Sequence, residues 1–175
     1  MRILITFVIF SFFNLVKANS INVVRDAEIE NLLYDISKIL IKNTELEKQK
    51  LTFYIDNKKY INALVTPDKK FFFTTELLLK SKGVDDLAGV ISHEIGHIIG
   101  GHFQKRQMAM EKTSNINILS SILAIGAIAS GAYNAGSALL MGGQHLSTTK
   151  LLAFSRSQES LADQTAIRLL KRNGF

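Results

Sequence analysis

The segment His93-Glu94-Ile95-Gly96-His97 decides what this chain of 175 residues folds into. Residues four apart on a helix lie about 40° apart around its axis and one turn along it, so His93 and His97 can bind one metal ion together. Glu94 lies about 100° round from His93, where its carboxylate reaches a metal-bound water without binding the metal. Zinc lowers the pKa of such a water toward about 7. The segment therefore predicts a zinc hydrolase with Glu94 as general base.

The helix that carries this segment is predicted to begin at Asp85 or Asp86 and to run to about Lys112. Three glycines lie inside it: Gly96, Gly100 and Gly101. Each glycine costs a helix about 1 kcal/mol relative to alanine. They predict either close approach by another backbone or a bend after His97.

A catalytic zinc needs a third protein ligand, and the chain contains no cysteine to supply it. His102 is five residues past His97 and points about 140° away if the helix is straight, so it is expected to pack or cap. His145 stands alone in an apolar stretch. Glu159 is the better candidate, because Asp163 follows one turn later and can accept a hydrogen bond from a ligand histidine. Spacing alone leaves an exposed acidic face as an equal alternative.

The remaining elements predict an α+β fold. A helix is expected from Asp26, its N-cap, to Asn43, and a last helix from Ser155, with Gln158 completing a capping box. Short strands are predicted at residues 51–55, 60–65 and 71–74, the first two joined by a turn, and a short helix at residues 75–80.

The N-terminus has the order of a secretory signal peptide. Arg2 is followed by a mostly apolar run from Ile3 to Val16 and then by small residues. Cleavage after Ala18 would leave a domain of residues 19–175, and an uncleaved N-terminal anchor is the alternative. In either case the catalytic part is expected to be exported.

Residues 113–149 contain no Asp, Glu, Lys or Arg. From Ile116 to Gly143 this segment is rich in Ile, Leu, Ala, Gly and Ser, which predicts membrane association, either spanning a bilayer or lying on it, or else a buried helical hairpin. The net charge of +6 comes from scattered Lys and Arg, which favours a solvated basic surface, and no nucleic-acid partner is expected.

The segment at residues 93–97, the apolar stretch and the run SRSQESLAD at residues 155–163 together resemble the gluzincin metallopeptidase family that includes HtpX, the CAAX prenyl endopeptidase and the BepA-like peptidases. Ile61-Asn62-Ala63 resembles that family's Asn-Ala strand, and residues 71–78 resemble its strand-to-helix segment before the metal helix. With the signal peptide, the periplasmic BepA-like branch is the most similar.

The resemblance implies a zincin-like α+β domain, mostly α, with a small sheet packed on the metal helix and a second ligand helix. It implies one Zn²⁺ per chain, held by His93, His97 and Glu159. Glu94 would be the general base, and Asp163 would hold a ligand histidine.

The implied activity is a zinc-dependent metalloendopeptidase that acts on misfolded envelope proteins, in the periplasm. Its substrate would lie extended beside a strand edge, for which residues 71–74 are the best candidate unless they form an ordinary core strand. Family members continue past the turn at Gly174-Phe175, so the domain is expected to be truncated. Two alternatives follow: a catalytically weak or inactive homologue that binds substrates or a partner, and a membrane-embedded protease.

Overall fold

A computed structural model describes residues 22–175. The predicted signal peptide, residues 1–18, and the start of the domain at residue 19 lie outside the described residues. In chain order the elements are β1 (Val23–Val24), α1 (Ala27–Ile41), β2 (Thr52–Asp56), β3 (Ala63–Val65), β4 (Lys70–Thr74), α2 (Thr75–Lys80), α3 (Val84–Ile99), α4 (His102–Ala129) and α5 (Tyr133–Asn173). The described part of the chain is thus a mostly helical α+β fold, as predicted.

The four strands form one mixed sheet in the order β1-β2-β4-β3. β2 and β4 are parallel, whereas the two outer pairings are antiparallel. The predicted turn between the first two strands does not join neighbouring strands of the sheet, because β4 lies between β2 and β3. Three consecutive phenylalanines favour that central place: Phe71 and Phe73 are fully buried on one face, and Phe72 stacks on Tyr54 on the other.

The strand of residues 71–74 is therefore not a sheet edge, and its prediction as the substrate-binding edge is wrong. It is the core strand of the alternative interpretation. The edge beside the metal helix is β3, which pairs only with β4.

Helices α1 and α3 cover the face of the sheet that carries Phe71 and Phe73. Asp26 caps α1 as predicted, because its carboxylate accepts hydrogen bonds from the backbone N–H groups of Glu28 and Ile29. The shared core consists of large apolar side chains from the sheet and from α1, α3 and α5: Leu33, Ile36, Leu40, Phe53, Phe71, Phe73, Leu87, Ile91, Ile95 and Leu169.

The metal helix ends earlier than predicted. α3 stops at Ile99, and α4 begins at His102, so the prediction of one helix to Lys112 is wrong. Gly101 between them has a φ of 61°, in the left-handed region that glycine adopts without a steric penalty. The glycines thus produce the bend after His97, which was one of the two structures expected from them.

Helices α4 and α5 pack antiparallel as a long hairpin that turns at residues 130–132. α5 is one helix of 41 residues, so the predicted helix start at Ser155 is wrong, and Gln158 is buried in mid-helix. The apolar segment forms a helical hairpin, but the expectation that this hairpin is buried is wrong, because most of its large apolar side chains are exposed. Across residues 22–175, none of the helices combines the length and apolarity needed to cross a membrane.

Candidate metal centre

The two histidines of α3 converge as their spacing predicts. The Nε2 atoms of His93 and His97 lie 3.1 Å apart. Ile91 and Ile95 on the opposite side of α3 are fully buried, which fixes the rotation of the helix and directs both histidines toward a cleft. Their side chains remain 28% and 17% exposed, so a ligand can reach them from solvent.

Glu159 approaches the same point from α5. Its Oε2 atom lies 3.3 Å from Nε2 of His93 and 3.6 Å from Nε2 of His97. Close backbone packing makes this approach possible, because a Cβ on Gly96 would fall 2.7 Å from the carbonyl oxygen of Ala162. Gly96 is therefore required for the contact between the two helices. This contact is the close approach by another backbone that was the second expectation for the glycines of this helix.

The two Nε2 atoms and the Oε2 atom of Glu159 have the separations that a tetrahedral metal ion requires of its ligands. Ligands about 2.0–2.1 Å from such an ion lie about 3.4 Å from one another. The observed separations are 3.1, 3.3 and 3.6 Å, and the three residues form a group able to hold one ion. Two imidazoles and one carboxylate leave a fourth position open on the cleft side, as in catalytic rather than structural sites.

Asp163 holds His93 in the orientation that this geometry needs. The Nδ1–H group of His93 donates a hydrogen bond of 2.8 Å to Oδ1 of Asp163. A proton on Nδ1 leaves the lone pair on Nε2, the atom that faces His97 and Glu159. Asp163 thus lies where the sequence placed it, one turn beyond Glu159 on the same face of α5.

His102 makes the corresponding contact to the other histidine. Its Nδ1 lies 2.9 Å from Nδ1 of His97, and the side chain is only 4% exposed. The ring packs against Gly100, where a Cβ would collide with it. His102 packs, as expected, but the angle of about 140° that directs it away from His97 applies only to a straight helix. The adjacent glycines at 100 and 101 were the signal that the helix breaks and turns His102 back. His145 lies 14 residues before Glu159 on α5, about 21 Å along the helix.

Glu94 lies beside the three ligand atoms but is largely buried, with 9% of its surface exposed. Burial raises the pKa of its carboxyl above the ordinary value, while His93 and the backbone of Val65 oppose the rise. A carboxylate with a raised pKa holds a transferred proton more readily than an exposed one, which suits a general base.

The site opens into a cleft of about 940 Å³ between α3, α5 and the edge strand. Residues 61–65 form one wall, and Arg106 of α4 also faces the cleft. Antiparallel pairing places Leu64 opposite Phe72, and Asn62 and Thr66, on either side, exchange hydrogen bonds with β4. Because hydrogen-bonded positions alternate along such a strand, the backbone of Ala63 and Val65 points to the free side. The strand predicted at residues 60–65 is present as β3, but neither its place at the edge of the sheet nor the position of Arg106 was predicted from the sequence.

The chain belongs to peptidase family M48, whose family model matches residues 4–175. It is similar to the Beta-barrel assembly-enhancing protease of Escherichia coli (strain K12), with 26% identity over 154 residues that cover 87% of this chain and 31% of the relative. The protein of the same name from Yersinia pestis is 27% identical over 138 residues, which cover 78% of this chain and 28% of the relative. The family resemblance deduced from the motifs is thus confirmed. The chain spans about a third of the length of these curated relatives.

Proposed function

We propose that this protein is a zinc-dependent metalloendopeptidase of the gluzincin type, with one Zn²⁺ bound by His93, His97 and Glu159. The observation that carries the proposal is the convergence of their three ligand atoms, at separations that match a tetrahedral zinc site. When bound, zinc polarises the substrate carbonyl and lowers the pKa of a water molecule.

The protein's own residues supply the proton transfers and the orientation. Glu94 accepts the proton of the attacking water and passes it to the leaving amine, a role that its position beside His93 and its burial support. Asp163 and His102 fix the two ligand imidazoles through their Nδ1 atoms, so that both Nε2 atoms face the ion.

The substrate is an unfolded or extended segment of a protein that adds to the free edge of β3. The N–H and C=O groups of Ala63 face the cleft and can pair with such a segment. The nearby Val65 backbone contacts Glu94, which places an added strand beside the general base. This replaces the central strand β4 with β3 as the proposed binding edge.

The proposed setting is the bacterial envelope, with the periplasm as location and misfolded envelope proteins as substrates. The predicted signal peptide at residues 1–18 supports export. The names of the E. coli and Y. pestis relatives, which refer to assembly of β-barrels, support a role in envelope-protein quality control.

Zinc content and casein cleavage test the proposal, with Glu94→Gln as the key variant and Glu111→Gln, an exposed position on α4, as its matched control. We expect one zinc per chain by elemental analysis in all three proteins. Wild type and Glu111→Gln should cleave, and Glu94→Gln should lose activity by about 10²–10⁴-fold. Absence of stoichiometric zinc in the wild type would refute the proposal. Zinc binding without cleavage by any of the proteins would favour the substrate- or partner-binding module.

A further inference from the structure

The outer part of the α4–α5 hairpin, residues 113–149, has its side chains arranged inside out. All five of its buried residues are small or polar: Thr113, Ala124, Gly136, Gly143 and Ser147. Ten of its large side chains are exposed: Ile118, Leu119, Ile122, Leu123, Ile125, Tyr133, Leu139, Leu140, Met141 and Leu146. In a hairpin surrounded by water, the hydrophobic effect would bury the large apolar side chains and leave the small and polar ones exposed.

Small residues bring the two helices together in the manner of helices packed in lipid. A Cβ on Gly136 would lie 2.8 Å from the carbonyl oxygen of Ala124, and one on Gly143 would collide with Ser120. The hydroxyl of Ser147 donates a hydrogen bond of 2.7 Å to the side chain of Asn117 across the interface. Close backbone contact at glycine and hydrogen bonds between small polar residues are the interactions that join helices where apolar surroundings supply no driving force.

Charged residues reappear on both helices at the end of the hairpin nearest the candidate metal centre. Ser147 lies opposite Thr113, because its hydroxyl contacts the Thr113 carbonyl oxygen at 3.4 Å, so Lys112 and Lys150 stand at nearly the same level. Residues 102–112 and 150–156 contain five basic side chains and one acidic one, and all six are exposed. This collar has the charge that anionic phospholipid headgroups attract.

From these features we propose that the outer hairpin enters one leaflet of a phospholipid bilayer, with the basic collar at the headgroups. The α4 part of the segment, residues 113–129, is about 25 Å long, against about 15 Å for the hydrocarbon of one leaflet, so the hairpin enters tilted. A second copy of the chain would cover one face of the hairpin, whereas the exposed apolar side chains lie on both helices. Ile122 and Ile125 of α4 are 61% and 67% exposed, and Met141 of α5 is 73% exposed.

The chain contains no tryptophan, so a single introduced one reports its own surroundings. Ile122→Trp places it in the outer hairpin, and Leu79→Trp, at a 79% exposed position on α2, is the matched control. With vesicles of phosphatidylcholine and phosphatidylglycerol, we expect a blue shift and quenching by brominated acyl chains for Ile122→Trp alone. Unchanged emission would overturn the proposal. Emission that shifts with protein concentration in the absence of vesicles, with dimers in sedimentation velocity, would also overturn it, because a second copy would then cover the hairpin.

Flotation of the full chain with the same vesicles tests the requirement for apolar side chains. Wild type and Leu79→Lys should float, whereas the double variant Ile122→Lys, Ile125→Lys should lose at least about tenfold in vesicle partition, because each lysine opposes entry into hydrocarbon. Circular dichroism checks that each variant is folded, and its zinc content is measured separately. Equal flotation of both lysine variants would contradict insertion, whatever the peptidase assay shows.

Discussion

Gly96 of α3 lies against Ala162 of α5 so closely that a Cβ on Gly96 would fall 2.7 Å from the Ala162 carbonyl oxygen and 2.9 Å from its Cα. Both neighbouring atoms belong to the backbone and cannot rotate away. The contact lies between the two histidines of α3 and Glu159 of α5, so the spacing of the helices sets the spacing of these three proposed metal ligands.

Gly96→Ala should therefore weaken zinc binding more than an ordinary helix substitution does. Relief of the clash moves α5 away from α3, and overpacking of this kind costs about 1–3 kcal/mol of stability. Gly89→Ala on the same helix is the control, because nothing lies within 4 Å of its added Cβ, and the control should gain about 0.4–1 kcal/mol. Chelator competition and thermal unfolding measure both effects. Equal zinc affinity of the two variants would show that the contact does not set the ligand geometry.

His102→Ala should lower zinc affinity by about 10–100-fold, the usual cost of losing a group that orients a ligand histidine. His102→Asn keeps a polar atom near the position of Nδ1 and should recover part of the affinity. His145→Ala, at an exposed position on α5, should leave affinity unchanged. A purely structural role for His102 predicts instead that the alanine and asparagine variants lose affinity alike, in proportion to their loss of thermal stability.

Zinc should stabilise the fold because its ligands come from two helices. A ligand present at 100 times its dissociation constant adds about 2.7 kcal/mol to the free energy of unfolding. Removal of the metal with a chelator should lower Tm, and zinc should restore it. Glu159→Gln should abolish most of this zinc-dependent shift, whereas Glu111→Gln should keep it. A full shift in Glu159→Gln would mean that α5 supplies no ligand.

Ala63→Pro should reduce peptide cleavage while leaving zinc binding intact. Proline removes an N–H group that faces the cleft, and one hydrogen bond of about 1 kcal/mol corresponds to about a fivefold fall in kcat/KM. Leu64→Pro removes a group that pairs with β4 and should instead lower Tm. If Ala63→Pro cleaved casein at the wild-type rate, strand addition at β3 would be excluded.

Local spacing and long-range pairing were predictable to different degrees. The spacing of His93 and His97 sufficed for the metal helix, and the N-cap at Asp26 for the start of α1. The partnership with Glu159 needed the family pattern, because no local rule determines which face of α5 meets α3. The central place of β4 was missed because strand order depends on contacts between distant residues.

Two further errors have local causes. Ser155 and Gln158 match a capping box, but the helix already runs through them, and a capping pattern does not show where a helix has started. His102 packs as expected but points back toward His97, because angles counted along one helix lose meaning at Gly101, where the backbone takes a left-handed conformation.

Because α5 is continuous, it determines how far Glu159 lies from the outer hairpin. One unbroken helix carries both the outer hairpin and Glu159, and the nine residues from Lys150 to Glu159 correspond to about 14 Å. The hairpin enters the bilayer at the tilt that fits about 25 Å of helix into about 15 Å of hydrocarbon, so Glu159 stands about 8 Å above Lys150, the lipid-proximal edge of the basic collar. An extended chain covers 8 Å in about two to three residues. A peptide bond in a membrane-inserted substrate would then become accessible only where at least about that length of chain protrudes beyond the level of Lys150.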